Sequence, residues 1–210
     1  MLLRRLAYPS RLEHLECEFG RSPGMLSSIV NVTTAIIFEK IESKRSFGHS
    51  MVRRYAQCSA DAIFDKVGRL DNCMGFIGGT SITITNGLIV SLCGPIEGRR
   101  HDSYILKATK VKKYPGFQLD QCYPLYDWPI TPCLNAAVSE EQTRFNLDLS
   151  RAQIAVKWSF GWITRYWKFF ELTFNMKVFK SPVGMLYIIA AFFTNCLSCT
   201  RRRNQSSKYF

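Results

Sequence analysis

The residues with the clearest chemistry lie in the stretch Gly94–Ser103, which reads GPIEGRRHDS. It follows the apolar run Leu88–Cys93, whose β-formers predict a strand, so a basic pair and then Asp102 come soon after the end of that strand. A carboxylate in this place can bind a hard divalent cation. It can equally form a salt bridge to an adjacent arginine or cap a helix. His101 beside it is more typical of a structural or solvent-facing residue than of a ligand.

A cluster of basic residues surrounds and follows this aspartate: Arg99, Arg100, Lys107, Lys110, Lys112 and Lys113. Their charges suit the phosphates of DNA, and a solvated charged loop is the alternative. The chain carries 28 Lys and Arg against 16 Asp and Glu, a formal net charge of +12. Such an excess favours a polyanionic partner, either nucleic acid or an anionic membrane surface, and charge alone selects neither.

The eight cysteines predict an intracellular protein with reduced thiols. The N-terminal sequence MLLRRLAYPS lacks the apolar core of a signal peptide, and several cysteines sit in apolar runs where a small thiol packs well. Cys196 and Cys199 have the spacing of two zinc ligands. No second Cys or His pair accompanies them in the sequence, which argues against zinc.

Two helices joined by a glycine turn are predicted near the N-terminus. Gly20 ends the first, and Ser22-Pro23 supplies an N-cap and a first-turn proline for the second, in which Leu26, Ile29 and Val30 follow helical spacing. The pattern is compatible with a helix-turn-helix that reads DNA, and other helical hairpins fit it equally.

Further helices are predicted from capping residues. A basic connector covers residues 41–58, and Ser59 caps a short helix, Ala60–Val67. Ser150-Arg-Ala-Gln153 has the pattern of a capping box and predicts the start of another helix. The β-formers between these helices predict four strands, at Met74–Ile77, Ser81–Thr85, Leu88–Cys93 and Phe117–Leu119.

An apolar stretch near the C-terminus, Val183–Phe193, predicts a helix packed in the core. It is 11 residues long before Thr194 and Asn195, whereas a membrane span needs about 20. Arg201–Arg203 follow, as basic residues often do at the cytoplasmic end of a span, but the short apolar length favours a buried helix.

Three motifs resemble the DDE-superfamily nuclease domain of PIF/Harbinger-type transposases: LDNCMGFIGGT at Leu70–Thr80, GPIEGRRHDS, and LDQCYPLYDWPITP at Leu119–Pro132. The resemblance implies an α/β fold, an RNase H-like mixed sheet flanked by helices, after an N-terminal helical segment resembling a helix-turn-helix. It divides the chain into residues 1–58 (this segment and the connector), a nuclease domain over 59–200, and a basic tail, 201–210. Relatives are longer near Thr80, so one central strand is expected to be short.

The same resemblance identifies where the catalytic acids belong. The family carries them in a GFIDGT-like strand, a GD-x-x-Y-like strand end and a V-E-W-x-F-G-like helix. Here the chain reads GFIGGT, LDQCY and VKWSFG, so Gly78 replaces the first acid, Asp120 keeps the second and Lys157 replaces the third. The resemblance thus implies that Asp120 is catalytic and binds metal, with Asp102 as a second ligand in the same pocket. Without the resemblance, Asp120 could equally cap a loop.

The function that the resemblance implies is that of a transposase-derived endonuclease-like protein. Its relatives cleave DNA phosphodiesters with Mg²⁺ or Mn²⁺, and here metal binding is expected to be weak or lost, so that cleavage is impaired. The alternatives are a non-enzymatic protein that keeps the fold to bind DNA or a partner, and a decayed fragment. DNA is the expected partner, a separate DNA-binding protein is a second candidate, no membrane is expected, and the expected location is the nucleus.

Overall fold

A computed structural model describes residues 1–8, 11–42, 48–67, 73–78, 81–83, 87–92, 117–119, 133, 139–171 and 181–201. Most of these residues are helical, and the strands are few and short. The helices are α1 (Leu2–Ala7), α2 (Leu12–Phe19), α3 (Pro23–Glu42), α4 (Gly48–Val67), α5 (Glu140–Tyr166) and α6 (Val183–Arg201), with a 3-10 helix at Lys168–Glu171.

The described residues include four strands that form one mixed sheet: β1 (Gly75–Gly78), β2 (Ser81–Thr83), β3 (Ile89–Leu92) and β4 (Phe117–Leu119). Their order across the sheet is β3-β2-β1-β4. The β1–β2 and β2–β3 pairs are antiparallel and the β1–β4 pair is parallel. The predicted strands are found within about two residues of their expected bounds, and β2, which follows Thr80 directly, has only three residues.

The chain divides into two compact units, and the sheet belongs to the unit formed by Phe47–Ser159 and Ser198–Phe210. In this unit α4 contacts β3, and Ile63 of α4, Phe76 of β1 and Val90 of β3 are buried. Apolar side chains of a helix and of the two strands that flank β2 are thus removed from water in this unit, as the hydrophobic effect favours.

The other unit joins Met1–Ser46 to Phe160–Leu197. In it α2 and α1 contact α3, and α1 also contacts the 3-10 helix. Its buried side chains include Leu6, Leu15, Leu26, Ile163, Phe169 and Ile189. Each unit is built from two stretches of chain, whereas the division expected from the sequence is linear; that division stays a prediction.

The predicted glycine turn between α2 and α3 is present. Gly20 adopts the left-handed conformation at φ 61° and ψ 31°, which glycine reaches without a Cβ penalty, and its N–H donates to the Glu16 carbonyl at 2.8 Å. The next helix begins at Pro23, as predicted. Its buried residues are Leu26, Val30, Thr34 and Ile41, whereas Ile29, which shares their helical spacing, is exposed.

Two predicted helix starts are wrong. Helix α4 begins at Gly48, so Ser59 is buried inside the helix instead of capping it, and much of the predicted connector is helical. Helix α5 begins at Glu140, and the Ser150 hydroxyl donates to the Asn146 carbonyl within the helix at 2.8 Å.

The capping box that opens α5 lies at Ser139 and Gln142. The Gln142 N–H donates to the Ser139 hydroxyl at 3.2 Å, and the Ser139 N–H donates to the Gln142 side-chain oxygen at 3.0 Å. This reciprocal pair satisfies two N–H groups at the end of a helix, which the backbone of the helix cannot satisfy itself.

Helix α6 is longer than the apolar stretch that predicted it. It continues past Thr194 to Arg201 because the Thr194 hydroxyl is satisfied inside the core. That hydroxyl donates to the Ala190 carbonyl at 2.8 Å and accepts from the Trp167 indole N–H at 2.9 Å. A buried polar group with both partners in place does not interrupt a packed helix.

Within the described part of the chain, two helices have the length and apolar composition of membrane spans. They are Pro23–Glu42, with mean hydropathy 1.2, and Val183–Thr200, with mean hydropathy 1.6. The C-terminal helix is therefore long enough for a span, although its apolar stretch of 11 residues predicted otherwise. Core helices of soluble proteins satisfy the same two criteria, so the finding selects neither placement.

Candidate functional site

The predicted site begins at one edge of the sheet, where β1 and β4 end. These strands run parallel, with Phe76 opposite Gln118 and Ile77 opposite Leu119. Gly78 is the last residue of β1, and Leu119 is the last residue of β4. The two strand ends that carry the first two acidic motifs of the resemblance are therefore neighbours.

The other predicted site residues lie outside the described part of the chain. They are Asp120, Asp102 and the six basic residues Arg99, Arg100, Lys107, Lys110, Lys112 and Lys113. Their roles stay predictions. The structure describes the strand that leads to Asp120, which is β4, and the strand that precedes the basic cluster, which is β3.

Lys157 lies within α5, so the expectation that it belongs to a helix is confirmed. The capping box that opens the helix lies well before Lys157 in the sequence. Further along the same helix, the rings of Trp162 and Tyr166 stack at 5.0 Å, and the Arg165 guanidinium lies 5.1 Å from the Trp162 ring centre. Trp167 is buried, and its indole N–H donates to the Thr194 hydroxyl.

Metal-binding side chains do not cluster in the described part of the chain. No group of three or more His, Cys, Asp and Glu residues there could hold an ion. The Cys73 side chain, next to β1, is buried and donates to the Gly75 carbonyl at 3.7 Å. Burial raises the pKa of this thiol to about 12, so the thiolate that metals bind is disfavoured.

The helical hairpin formed by α2 and α3 has the short glycine turn of a helix-turn-helix. The side chains exposed on α3, however, differ from those of a helix that reads DNA. Met25, Ile29, Val32 and Ile36 are exposed along α3. A helix that reads DNA presents polar side chains to base edges and cations to phosphates. The sequence carries the signal for this apolar surface in the 4-3-4 spacing of those residues.

Comparison with known proteins identifies the superfamily. A family model described as "DDE superfamily endonuclease" matches residues 79–195, which is more than half of the chain. The match begins directly after Gly78 and covers β2, β3, β4, α5 and most of α6. Searches of the curated proteins and of the solved structures found no significant match. Because the match covers more than half of the chain, the chain belongs to the DDE superfamily endonuclease family.

Proposed function

We propose that this protein is a transposase-derived, Harbinger-type member of the family that binds DNA without cleaving it efficiently. The observation that carries the proposal is Gly78 at the end of β1 in a chain of this family, since a residue without a side chain ends a strand where relatives are expected to present a carboxylate. The protein would then act as a non-enzymatic binder that keeps the nuclease fold.

The sheet supports an RNase H-like fold. A mixed sheet accompanied by helices is what that fold requires, and the parallel β1–β4 pair brings two motif-bearing strands together. Asp120 directly follows Leu119, the last residue of β4, in the sequence, and we propose it as the family acid that this chain keeps.

The residues at the family's acidic positions do not fit a pair of divalent ions. Two-ion nuclease centres need several carboxylate oxygens, because Mg²⁺ and Mn²⁺ are hard cations. Gly78 contributes no side-chain oxygen, and Lys157 contributes a positive charge. At about 4 Å and an effective dielectric near 20, a unit charge pair is worth roughly 4 kcal/mol, so repulsion from a divalent ion is about twice that. Asp120 and Asp102 would have to bind the ions alone.

DNA is the proposed partner because the family acts on DNA and this chain is strongly basic. The net charge of +12 favours phosphate contacts, and the cluster from Arg99 to Lys113 is their proposed surface. A nuclear location and a separate protein that selects the DNA target are parts of the same proposal.

The test compares the unaltered chain with a variant that restores both acids, Gly78→Asp with Lys157→Glu. The unaltered chain should not nick supercoiled plasmid in Mg²⁺ or Mn²⁺. The double variant should bind Mn²⁺ more tightly by about tenfold or more, measured by calorimetry, since it removes one repulsion and adds two ligands. Each single variant should gain much less, because it leaves the centre one ligand short.

A matched control makes the same change of charge elsewhere. Gly24→Asp with Lys66→Glu substitutes exposed positions on α3 and α4, where a side chain at Gly24 meets no atom within 4 Å. It should leave Mn²⁺ affinity unchanged. Mg²⁺-dependent nicking by the unaltered protein, abolished by Asp120→Ala, would overturn the proposal.

A further inference from the structure

Helix α3 carries a continuous exposed apolar surface, which we call the α3 stripe: Met25, Ile29, Val32 and Ile36. Their side chains are 48%, 37%, 56% and 51% exposed, respectively. Residues spaced by three and four lie on one face of a helix, and this alternation is the seam spacing of paired helices. The other side of α3 buries Leu26, Val30 and Thr34, so this helix is apolar on two faces.

The surroundings of the α3 stripe suit close contact with another helix. The exposed neighbours Ser28 and Ala35 are small and leave room for a second backbone. Between Arg21 and Glu39 the sequence has no charged residue. Both of these residues are exposed, so the stripe has a positive charge at one end and a negative charge at the other.

We propose that the α3 stripe binds the α3 stripe of a second copy of this chain, with the two helices antiparallel about a two-fold axis. In that arrangement Met25 of each copy lies against Ile36 of the other, and Ile29 lies against Val32. Arg21 of each copy then approaches Glu39 of the other, and the helix macrodipoles oppose each other favourably. A parallel pair would instead bring like charges together at both ends.

The size of the surface indicates a reversible dimer. A helix of 20 residues is about 30 Å long, and a stripe along it presents on the order of 300 Å² per copy. This is as large as the functional patches found on many monomers, but well below the roughly 800 Å² per partner of a standard stable interface. The dimer should therefore dissociate on dilution.

A second copy fits the stripe better than a bilayer does, although α3 has the length of a span. Helix α2 contacts α3 and carries Glu13, Glu16 and Glu18, all of them exposed. Glu18 also pairs with Arg4 at 3.0 Å, which ties this charged helix to α1. Carboxylates are costly in hydrocarbon, so a span through α3 would have to abandon these contacts.

Sedimentation velocity of the full chain over a range of concentrations tests the proposal. The unaltered protein should show a monomer–dimer equilibrium, and Ile36→Glu should raise the dissociation constant by about tenfold or more. Leu147→Glu is the matched control, because Leu147 on α5 is also 51% exposed, and it should leave the equilibrium unchanged. Circular dichroism checks that each variant folds, and the milder Ile36→Ala should weaken the dimer if Ile36→Glu does not fold.

The orientation is tested by reversing the end charges. Arg21→Glu alone and Glu39→Arg alone should each weaken the dimer, and the double variant should restore it, because it rebuilds both opposite pairs. Failure of the double variant to restore the dimer would overturn the antiparallel arrangement. A chain that stays monomeric up to its solubility limit would overturn the dimer itself. Binding of that monomer to anionic vesicles, lost in Ile36→Glu, would assign the stripe to a membrane instead.

Discussion

Burial sets the chemistry of Cys73. Its side chain is fully buried beside β1, and burial raises the pKa of its thiol from 9.0 to about 12, whereas Cys17, Cys58 and Cys199 are exposed. Since the thiolate is the reactive form, iodoacetamide near neutral pH should label the exposed cysteines of the described residues, Cys17, Cys58, Cys196 and Cys199, rapidly and Cys73 only after unfolding. Peptide mass spectrometry over a labelling time course measures this. Labelling of Cys73 at the rate of Cys17 would contradict the burial.

The same shift predicts how stability depends on alkaline pH. The pKa of Cys73 is higher in the folded chain than in the unfolded chain, so above about pH 9 the unfolded chain binds fewer protons than the folded one. The contribution of this thiol to the free energy of unfolding is then constant below pH 9 and falls as the pH rises towards 12. Burial of Tyr187 also raises its pKa, from 10.0 to about 12, and acts in the same direction.

Urea denaturation at a series of pH values tests this dependence. The unfolding midpoint should fall between pH 9 and pH 12, and Cys73→Ala should flatten the early part of that fall, even though removal of a buried side chain lowers stability at every pH. An equally steep fall in Cys73→Ala would show that other groups control the alkaline transition.

The site residues themselves show what a single sequence can establish. Glycine and lysine have no metal-binding pattern, so Gly78 and Lys157 were singled out only by the resemblance to a family that has acids there. The structure then put Gly78 at the end of a strand and Lys157 on a helix, as that resemblance implies. Without the resemblance, residue chemistry alone would have left Asp102 as a metal ligand, a salt-bridge partner or a helix cap.

At the scale of elements, the polar contact between Trp167 and α6 is the feature that a mutation can test most directly. Thr194→Val keeps the shape of the side chain but removes the acceptor of the Trp167 indole N–H, leaving a buried donor unsatisfied. We expect a loss of about 1–3 kcal/mol in the free energy of unfolding, measured by urea denaturation. The control Thr143→Val alters an exposed threonine that bonds to the Ser139 carbonyl, and should cost less than about 0.5 kcal/mol. Equal losses in the two variants would contradict the role of burial.

Strands were easier to predict than helix starts, and the reason is local. Runs of β-forming residues predict β1, β3 and β4 directly, because most strands are built from side chains that fit a pleated surface. Helix α5 was misplaced because Ser139-Glu-Glu-Gln142 and Ser150-Arg-Ala-Gln153 have the same capping pattern. Only the packing of the folded chain distinguishes a serine before a helix from one inside it. The start of α4 was missed because glycine and basic residues are typical of connectors.

At the scale of the whole molecule, charge predicts weak, salt-sensitive DNA binding with little sequence preference. Arg99→Ala with Arg100→Ala should lower affinity and make the slope of log affinity against log salt shallower by roughly two, if each arginine contacts one phosphate. Fluorescence anisotropy with labelled duplex DNA at several salt concentrations measures both quantities. Arg11→Ala with Arg144→Ala removes two exposed charges elsewhere and is the control. An unchanged slope in the first variant would exclude the basic cluster as the contact surface.

The unit that joins Met1–Ser46 to Phe160–Leu197 has a consequence for synthesis on the ribosome. Helices α1, α2 and α3 are translated first, but the 3-10 helix against which α1 packs is translated only after the whole sheet. Translation proceeds at about 5–20 residues per second, so Leu6 emerges from the ribosomal exit tunnel on the order of ten seconds before Phe169 does. Nascent chains stalled before residue 160 should therefore hold α1 only through α2 and α3 and leave it more open to protease and to chaperones, and full protection should come once the C-terminal segment has emerged.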